Sequence, residues 1–269
     1  MTEPMQIGDL RVAPVYDGVM TADATAAYKG TTAEQWAPHR RFLRDDGRVE
    51  FAIGGFLVRA PQGRLILVDT GMGAHTGAGM GGVSQFSGGA LLDSLASLGT
   101  RPEDVTDVVF THLHWDHVGW ASREGAIVFP NATYRCDTRD WEHFRGNERV
   151  QPVLSPITDR LTLWDGSGPI VAGIDAMSAP GHTPGSTIIV LSSGAARGLL
   201  LGDVVHCPVE LLDDEWAGLG DVDPELAKQT RNRLAREFEG TDTPMAAAHF
   251  PGMVFGRLLN ANGRRSWVV

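Results

Sequence analysis

Three histidines and an aspartate crowd into the six residues from His112 to His117, and this cluster constrains the fold more than any other feature. It reads HLHWDH and directly follows the apolar, β-branched run 105–111. At the end of a strand, His112 and His114 point the same way because side chains alternate with a period of two. Asp116 and His117 come next, where the chain must bend into a loop or a helix. We therefore expect two groups of ligands that face a common space from opposite sides.

Imidazole and carboxylate ligands together suit Zn²⁺, although manganese, iron and cobalt accept the same donors. Three histidines rarely crowd together without a metal, because their protonated forms repel one another. A chance cluster of polar residues at a strand end is the alternative interpretation. The cluster predicts a centre for two divalent metal ions per chain, a few ångströms apart, with zinc as the expected metal.

Three further candidate ligands follow short apolar runs later in the chain. His182 lies in a Pro-Gly-His-Thr-Pro-Gly turn, Asp203 follows the run 199–201, and His249 follows the run 245–248. Each comes at the carboxyl end of a strand candidate or in the turn after it. Alone, each is more typical of an ordinary turn; together with the upstream cluster, they complete a centre for two metals.

The rest of the chain has a mixed α+β pattern, in which short strand candidates outnumber the helices. The predicted strands are 53–58, 64–69, 105–111, 127–129, 133–136, 174–179, 187–191, 199–201 and 245–248, and the predicted helices are 90–98, 137–145 and 224–239. The third helix is the clearest. Asp223 can cap its free N–H groups, Pro224 suits its first position, and Gly240 ends its apolar pattern.

The stretch between Asp69 and Ala90 contains eight glycines. Glycine in such density costs too much backbone entropy for the interior of a helix or strand. We expect the stretch 71–89 to be a flexible surface loop, with a mobile flap over a site as the alternative.

Composition and charge limit the kinds of binding partner and the cellular compartment that we expect for this chain. Lys and Arg number 23 and Asp and Glu 33, so the formal net charge is −10, which disfavours non-specific binding to nucleic acids or anionic membranes. The apolar runs are about four residues long, whereas a membrane span needs about 20. No secretory signal is visible, so we expect a cytoplasmic protein with free thiols at Cys136 and Cys207. Residues 1–269 are predicted to form a single domain, with the segment 1–51 at an interface or at the pocket rim.

The combined pattern resembles the metallo-β-lactamase superfamily. It consists of an HxHxDH cluster, a Gly-His turn, an aspartate after one strand and a histidine after a later one. The sequence VDTG at 68–71 is similar to the first motif of that superfamily. The resemblance extends from Ile53 to His249 and implies an αββα sandwich with the metal site at one edge of two packed sheets.

The resemblance also implies a role for each matching residue. His112, His114 and His182 would hold the first metal, Asp116, His117 and His249 the second, and Asp203 would bridge both. Asp69 would orient a ligand histidine, with a plain turn aspartate as the alternative.

Within the superfamily, the stretch from Pro180 to His249 looks most like methyl parathion hydrolases and their quorum-quenching lactonase relatives. The segments GHTPG, GDVVH and AAAHFP carry this resemblance. It implies small-molecule substrates that are lactones, esters or phosphotriesters. Such relatives are often dimers, so a homodimer is left open.

The expected reaction is the opening of a lactone or the cleavage of an ester by a hydroxide that bridges two metals, with Asp116 carrying the proton to the leaving oxygen. A phosphotriester hydrolase of the same fold is the first alternative. A di-iron redox protein and a binding module without catalysis are the others.

Quorum-quenching lactonases carry a tyrosine three positions after the bridging aspartate, whereas this chain has His206 there. His206 is therefore a second catalytic candidate that would hydrogen-bond a substrate oxygen, or else a structural residue beside the metals. Phe86, Trp115 and Trp120 are candidates for an aromatic pocket wall, which would favour a hydrophobic acyl chain or aryl group. Core packing is the alternative for each of the three.

Overall fold

The computed structural model describes residues 3–218 and 220–269 as strands, short helices and connecting turns. The strands are β1 (Met5–Ile7), β2 (Leu10–Asp23), β3 (Arg48–Ala60), β4 (Arg64–Val68), β5 (Thr76–Gly79), β6 (Ser84–Ser87), β7 (Asp107–Val109), β8 (Ser122–Arg123), β9 (Ala126–Ile127), β10 (Thr133–Asp137), β11 (Leu161–Trp164), β12 (Gly168–Val171), β13 (Ile174–Ser178), β14 (Thr187–Ser193), β15 (Ala196–Leu200), β16 (Met245–Ala246), β17 (Arg257–Ala261) and β18 (Arg264–Val268). The α-helices are α1 (Ala24–Ala27), α2 (Ala33–Trp36), α3 (Leu91–Ser97), α4 (Trp115–Val118), α5 (Thr138–Phe144), α6 (Gln151–Leu154) and α7 (Pro224–Phe238).

Two large sheets pack face to face between layers of helices. One sheet runs in the order β11–β10–β7–β4–β3–β2–β6–β5, with β1 also paired to β2, and the other in the order β12–β13–β14–β15–β16. Strands β4, β7 and β10 are mutually parallel, and β15 is parallel to β16. The arrangement confirms the αββα sandwich expected from the sequence.

Alternating apolar side chains divide the interior into three cores, because successive residues of a strand face opposite sides of its sheet. In β4, Ile66 and Val68 lie in the core between the sheets, whereas Leu67 packs outward against α3. In β14, Ile189 lies between the sheets and Ile188 faces the core beneath α7. Burial of each such side chain contributes about 1.5–3 kcal/mol.

Helix α7 begins and ends close to where the sequence predicts. The Asp223 side chain accepts a hydrogen bond from the Leu226 N–H at 3.0 Å, Pro224 opens the helix, and Phe238 is its last residue. Its buried face includes Ala227 and Leu234, which cover the second sheet. None of the described residues forms a helix long and apolar enough to span a membrane.

The glycine-rich stretch 71–89 is not the loop that the sequence suggests. Strands β5 and β6 form a hairpin within it, and β6 pairs with β2 at the edge of the first sheet. A Cβ atom on Gly77 would lie 2.9 Å from Cζ of Phe86, which occupies the opposite position in the hairpin. The absence of a side chain at Gly77 therefore leaves room for the Phe86 ring, a contact that propensity alone does not reveal.

The ends of several other strands differ from the predicted ones, because pairing with neighbouring strands decides where a strand ends. The predicted strands 105–111, 127–129 and 245–248 are shorter in the structure, at 107–109, 126–127 and 245–246. Strand β2, which the sequence does not predict, is long and occupies a position between β3 and β6. Its polar and glycine residues hide the alternating pattern of a strand.

The buried carboxylate of Asp17 lies at a bulge in β2 and holds three parts of the chain there: residues 72–73, residues 89–91 and Trp120. The register of β2 against β3 shifts between Tyr16 and Gly18, which turns the Asp17 side chain inward, where it is 1% exposed. Its two oxygens accept hydrogen bonds at 2.7–3.1 Å from the backbone N–H groups of Met72, Gly73, Gly89 and Leu91 and from the Trp120 indole. This one side chain therefore fixes both ends of the glycine-rich hairpin.

We predict that Asp17→Asn lowers the free energy of unfolding by about 2–4 kcal/mol, because an amide NH₂ would face donors that now meet an ionised oxygen. Urea unfolding followed by circular dichroism measures the loss. Asp9→Asn, at an exposed position, is the control and should change stability by less than about 0.5 kcal/mol. Equal effects of the two substitutions would contradict the anchoring role of Asp17.

Candidate metal centre

Strand ends from both sheets meet at one edge of the sandwich. Asp69 follows β4, His112 follows β7, Asp203 follows β15, and His249 follows β16, while His182 lies in the turn between β13 and β14. A hydrogen bond from the Thr187 N–H to the Thr111 carbonyl, 2.9 Å long, joins the two sheets here. The structure therefore brings together the seven side chains that the sequence singles out as candidate ligands.

Four of these side chains form the first group of donors. His114 Nδ1 lies 3.1 Å from His112 Nε2 and 2.9 Å from His182 Nε2. Oδ2 of Asp203 lies 3.6 Å from His112 Nε2 and 3.4 Å from His182 Nε2. These four atoms enclose a space of the size of one metal ion.

The remaining three form a second group around the other oxygen of Asp203. His117 Nε2 and His249 Nε2 are 3.3 Å apart, and Oδ1 of Asp203 lies 3.1 and 3.3 Å from them. Oδ2 of Asp116 is 3.6 Å from His249 Nε2. The Asp203 carboxylate therefore faces both groups, one oxygen to each.

These donors fit divalent metal ions. Tetrahedral bonds of roughly 2.0–2.2 Å place neighbouring ligand atoms about 3.4 Å apart, close to the separations in both groups. Oδ1 of Asp203 is buried and accepts no well-directed hydrogen bond from the described residues. A buried carboxylate oxygen without a donor is costly unless a cation neutralises it, so the centre suits a divalent metal, with zinc favoured by this set of ligands.

Hydrogen bonds on the far side of each ring turn the inner nitrogen toward the centre. Nδ1 of His117 donates to Asp69 at 2.9 Å, and Nδ1 of His182 donates to Asp221 at 3.0 Å. Nδ1 of His249 donates to the Ala52 carbonyl at 2.7 Å. Because these outer nitrogens must carry the proton, each Nε2 presents a lone pair to a metal.

Asp69 supports two rings at once. Its carboxylate accepts hydrogen bonds from the Thr111 N–H and hydroxyl, both at 2.8 Å, besides that from His117. The Thr111 hydroxyl, having donated to Asp69, accepts from His112 Nδ1 at 3.1 Å. The geometry matches the orienting role that the resemblance implies for Asp69.

Burial and charge set the protonation of the donors. Burial lowers the pKa of His112 well below its ordinary value and that of His114 to about 3, which leaves both imidazoles neutral at pH 7. Burial opposes ionisation of Asp203, but His117 and His249 hold its pKa well below the ordinary range. Despite burial, Asp203 and Asp69 raise the pKa of His117, so a positive charge is favoured at that point.

Two further acids, Asp140 and Asp221, hold the histidine cluster and His182 in place, and the sequence analysis did not identify either of them. The Asp140 carboxylate, in the first turn of α5, accepts hydrogen bonds from the Leu113 N–H at 2.9 Å and the Gly185 N–H at 2.6 Å. It therefore ties the histidine cluster to the turn that carries His182. Asp221, the partner of His182, is the other. Neither lies in a local motif, so only the folded chain reveals them.

Five of the seven donors, namely His114, Asp116, His182, Asp203 and His249, line an open cavity of about 360 Å³. His206, the second catalytic candidate, lies on its wall, with Nε2 3.3 Å from Asp203 Oδ2. A smaller cavity of about 220 Å³ adjoins it and shares Trp115 and Arg149. Phe86 packs edge-on against Trp115, with ring centroids 5.2 Å apart, and lines the smaller cavity.

Of the aromatic candidates, Phe86 and Trp115 therefore lie at cavities, whereas Trp120 is buried against Asp17. The Arg149 guanidinium stacks on the Trp115 ring, 4.2 Å from its centroid. Both cavities thus meet at a stacked Trp–Arg pair next to two candidate ligands.

Comparison with known proteins agrees with this geometry. Residues 55–249 match the family model for the metallo-beta-lactamase superfamily. The N-acyl homoserine lactonase AiiA of Bacillus thuringiensis subsp. kurstaki is 27% identical over 192 residues, 66% of this chain and 73% of that protein. The solved structure of AbOPH, a hydrolase in the beta lactamase superfamily, has a TM-score of 0.86 and 25% identity, covering 99% of this chain and 96% of that one. AidC, a dizinc quorum-quenching lactonase solved with a product, has a TM-score of 0.85 and 24% identity with the same coverage.

We predict that Asp69→Asn weakens metal binding about 10- to 100-fold, because the amide cannot accept from Thr111 and His117 with both oxygens. Asparagine tolerates the positive φ of 61° at this position, so the backbone need not change. Competition with a chromophoric chelator measures the affinity. Asp93→Asn, exposed on α3, is the matched control, and an unchanged affinity in Asp69→Asn would refute the orienting role.

Proposed function

This chain belongs to the metallo-beta-lactamase superfamily of metal-dependent hydrolases, and we propose that it opens lactones or cleaves esters with two divalent metal ions per chain. The observation that carries the proposal is the pair of donor groups, which share the Asp203 carboxylate beneath an open cavity. The similarity of the chain to N-acyl homoserine lactonases supports a lactone or ester as the substrate.

In this proposal, the seven donors divide into two metal sites. His112, His114 and His182 would hold one ion, Asp116, His117 and His249 would hold the other, and Asp203 would contribute an oxygen to each. When bound, the two ions would supply a nucleophile from water at neutral pH and a Lewis acid for the carbonyl oxygen. Zinc is the favoured metal, on the chemistry of the donors and the dizinc relative.

Asp116 and His206 are the two residues that act directly on the substrate, one by proton transfer and the other by hydrogen bonding. Asp116, the least buried of the carboxylates in the centre, faces the cavity, accepts the proton that the attacking water loses and passes it to the leaving oxygen. His206 reaches the same cavity from the opposite sheet and donates a hydrogen bond to a substrate oxygen. Positioned donors of this kind stabilise the negative charge that develops on oxygen during acyl transfer.

The adjoining cavity supports a substrate with an apolar substituent. Its lining is mostly neutral and apolar, with Met72, Phe86 and Val153 on its walls. Together the two cavities fall within the range of roughly 300–1,000 Å³ typical of small-molecule sites. The reacting carbonyl would lie above the metal centre while an acyl chain or aryl group extends past Trp115.

The deciding experiment follows proton release with a pH indicator, on metal-loaded and chelator-stripped protein. The panel contains short and long acyl-homoserine lactones, an aromatic lactone, an aryl ester, an aryl phosphotriester and a β-lactam. We expect lactones or the ester to react fastest, chelation to abolish turnover, and added zinc to restore it.

Asp203→Ala is the matched variant, and it should lose at least one metal per chain and most of the activity. Turnover of the phosphotriester alone would replace the proposal with the first alternative. Bound iron together with an absence of hydrolysis would favour a redox protein. Full metal content and full turnover in Asp203→Ala would overturn the bridging role.

We also predict that Val153→Trp discriminates between substrates by length. Val153 lies on α6 and faces the adjoining cavity, so an indole there would fill the space of a long acyl chain. KM for a long-chain substrate should rise about 10-fold or more, as expected for one or two lost apolar contacts, while a short-chain substrate is unaffected. Equal effects on both lengths would remove the adjoining cavity from the substrate path.

A further inference from the structure

A fully buried glutamate lies behind the wall that carries His206. Glu210 is 1% exposed, in the 3₁₀ turn Pro208–Leu211. Its Oε1 atom accepts hydrogen bonds from the His206 N–H and the Cys207 N–H, both at 3.0 Å, and from the Tyr28 hydroxyl at 2.7 Å. The same carboxylate therefore holds the backbone of His206 and reaches the segment before β3.

Helix α7 supplies the positive partner. Arg231 is 1% exposed, and its Nη1 atom lies 3.4 Å from Oε2 of Glu210. The guanidinium also donates to the Val204 carbonyl at 3.1 Å and the Trp216 carbonyl at 3.3 Å. The Glu210–Arg231 pair thus holds the segment 203–207 at three residues, Val204, His206 and Cys207.

Stability alone is a weak reason for such a pair. Removing two charges from water costs several kcal/mol per ion, and apolar replacements of a buried pair are often neutral or stabilising. What the pair does is to define one conformation of the segment that carries Asp203 and His206. A planar guanidinium with two carbonyl contacts fixes direction as well as distance.

The His206 ring lies between two carboxylates. Nε2 is 3.3 Å from Oδ2 of Asp203, and Nδ1 is 3.7 Å from Oε1 of Glu210, longer than a hydrogen bond but within the range of direct charge attraction. The ring is parallel to that of His249, with centroids 5.7 Å apart and planes 2° from parallel. The orientation of the ring toward the cavity therefore depends on the groups that hold the backbone at His206.

We propose that Glu210 and Arg231 are positioning residues, which act through His206 to hold its imidazole over the reacting carbon. This inference rests on the proposed function, in which His206 donates to a substrate oxygen. Neither residue lines the cavity, so neither touches the substrate. Removal of the Glu210 carboxylate should lower kcat and leave KM and the metal content nearly unchanged, because its backbone contacts are at His206 and Cys207 rather than at a candidate ligand.

A double-mutant cycle tests the route of this effect. In the zinc-loaded protein, Glu210→Gln should lower kcat roughly 10- to 100-fold, as expected for a misplaced catalytic group, with KM within about 2-fold. In a His206→Asn background, the same substitution should cause no further loss. Losses that multiply in both backgrounds, or a His206→Asn variant with full kcat, would overturn the proposal.

Asp107→Asn is the matched control. Asp107 is also a buried carboxylate paired with arginines, Arg64 and Arg135, but it lies at the start of β7, the end away from the histidine cluster. The control should lower the unfolding midpoint without changing kcat. An equal fall in kcat for Asp107→Asn would mean that any loss of buried charge impairs turnover, which contradicts a specific role for Glu210.

Arg231→Lys keeps the test decisive if Glu210→Gln does not fold. It retains the charge but loses the fork that spans Glu210, Val204 and Trp216, so kcat should fall several-fold, and again only when His206 is present. Imidazole ¹⁵N spectra supply a readout without turnover. Glu210→Gln should shift the His206 signals and leave in place those of His75, which lines the adjoining cavity. Unchanged His206 signals would refute the positioning role even if no substrate of the panel reacts.

Discussion

The rest of the structure depends on the proximity of buried donor atoms at the edge of the sandwich. Ring nitrogens of His114 and His182 lie 2.9 Å apart, and those of His117 and His249 lie 3.3 Å apart. When both nitrogens of a pair present lone pairs, as metal ligands do, the contact is repulsive unless a positive charge lies between them. The fold brings these donors together from both sheets. With the two ions of the proposed function in place, metal binding and folding would therefore be coupled.

Four buried acids hold the elements that converge on this centre. Asp17 fastens the hairpin, Asp69 orients two rings, Asp140 joins the cluster to the His182 turn, and Glu210 grips the His206 segment. Each accepts backbone N–H groups that no helix or sheet satisfies, so each replaces regular structure where the chain must turn sharply. Part of the excess of acidic residues in this sequence therefore serves the interior rather than the surface.

The sequence predicted the features whose signals are local. The histidine cluster, the capped start of α7 and the strands around 64–68 and 187–191 each carry their pattern within a few residues. Of the four supporting acids, only Asp69 lies in such a local motif. Asp17, Asp140 and Glu210 could not be found in this way, because Asp17 meets Trp120 across 103 positions and Glu210 meets Tyr28 across 182. The hairpin was wrongly expected to be a loop because the strand pairing that accommodates its glycines, such as the Phe86 ring against Gly77, involves the neighbouring strand.

The hairpin has a further consequence for how such proteins diversify. Phe86 of this hairpin and Val153 of α6 form walls of the adjoining cavity, and neither residue belongs to the metal centre. Under the proposed function, the residues for bond cleavage and these two walls of the substrate cavity would therefore be encoded in separate stretches of sequence. Mutations in the hairpin would then alter the range of compounds accepted while the reaction itself is inherited unchanged. A chain built in this way would acquire new substrates by drift at a sheet edge.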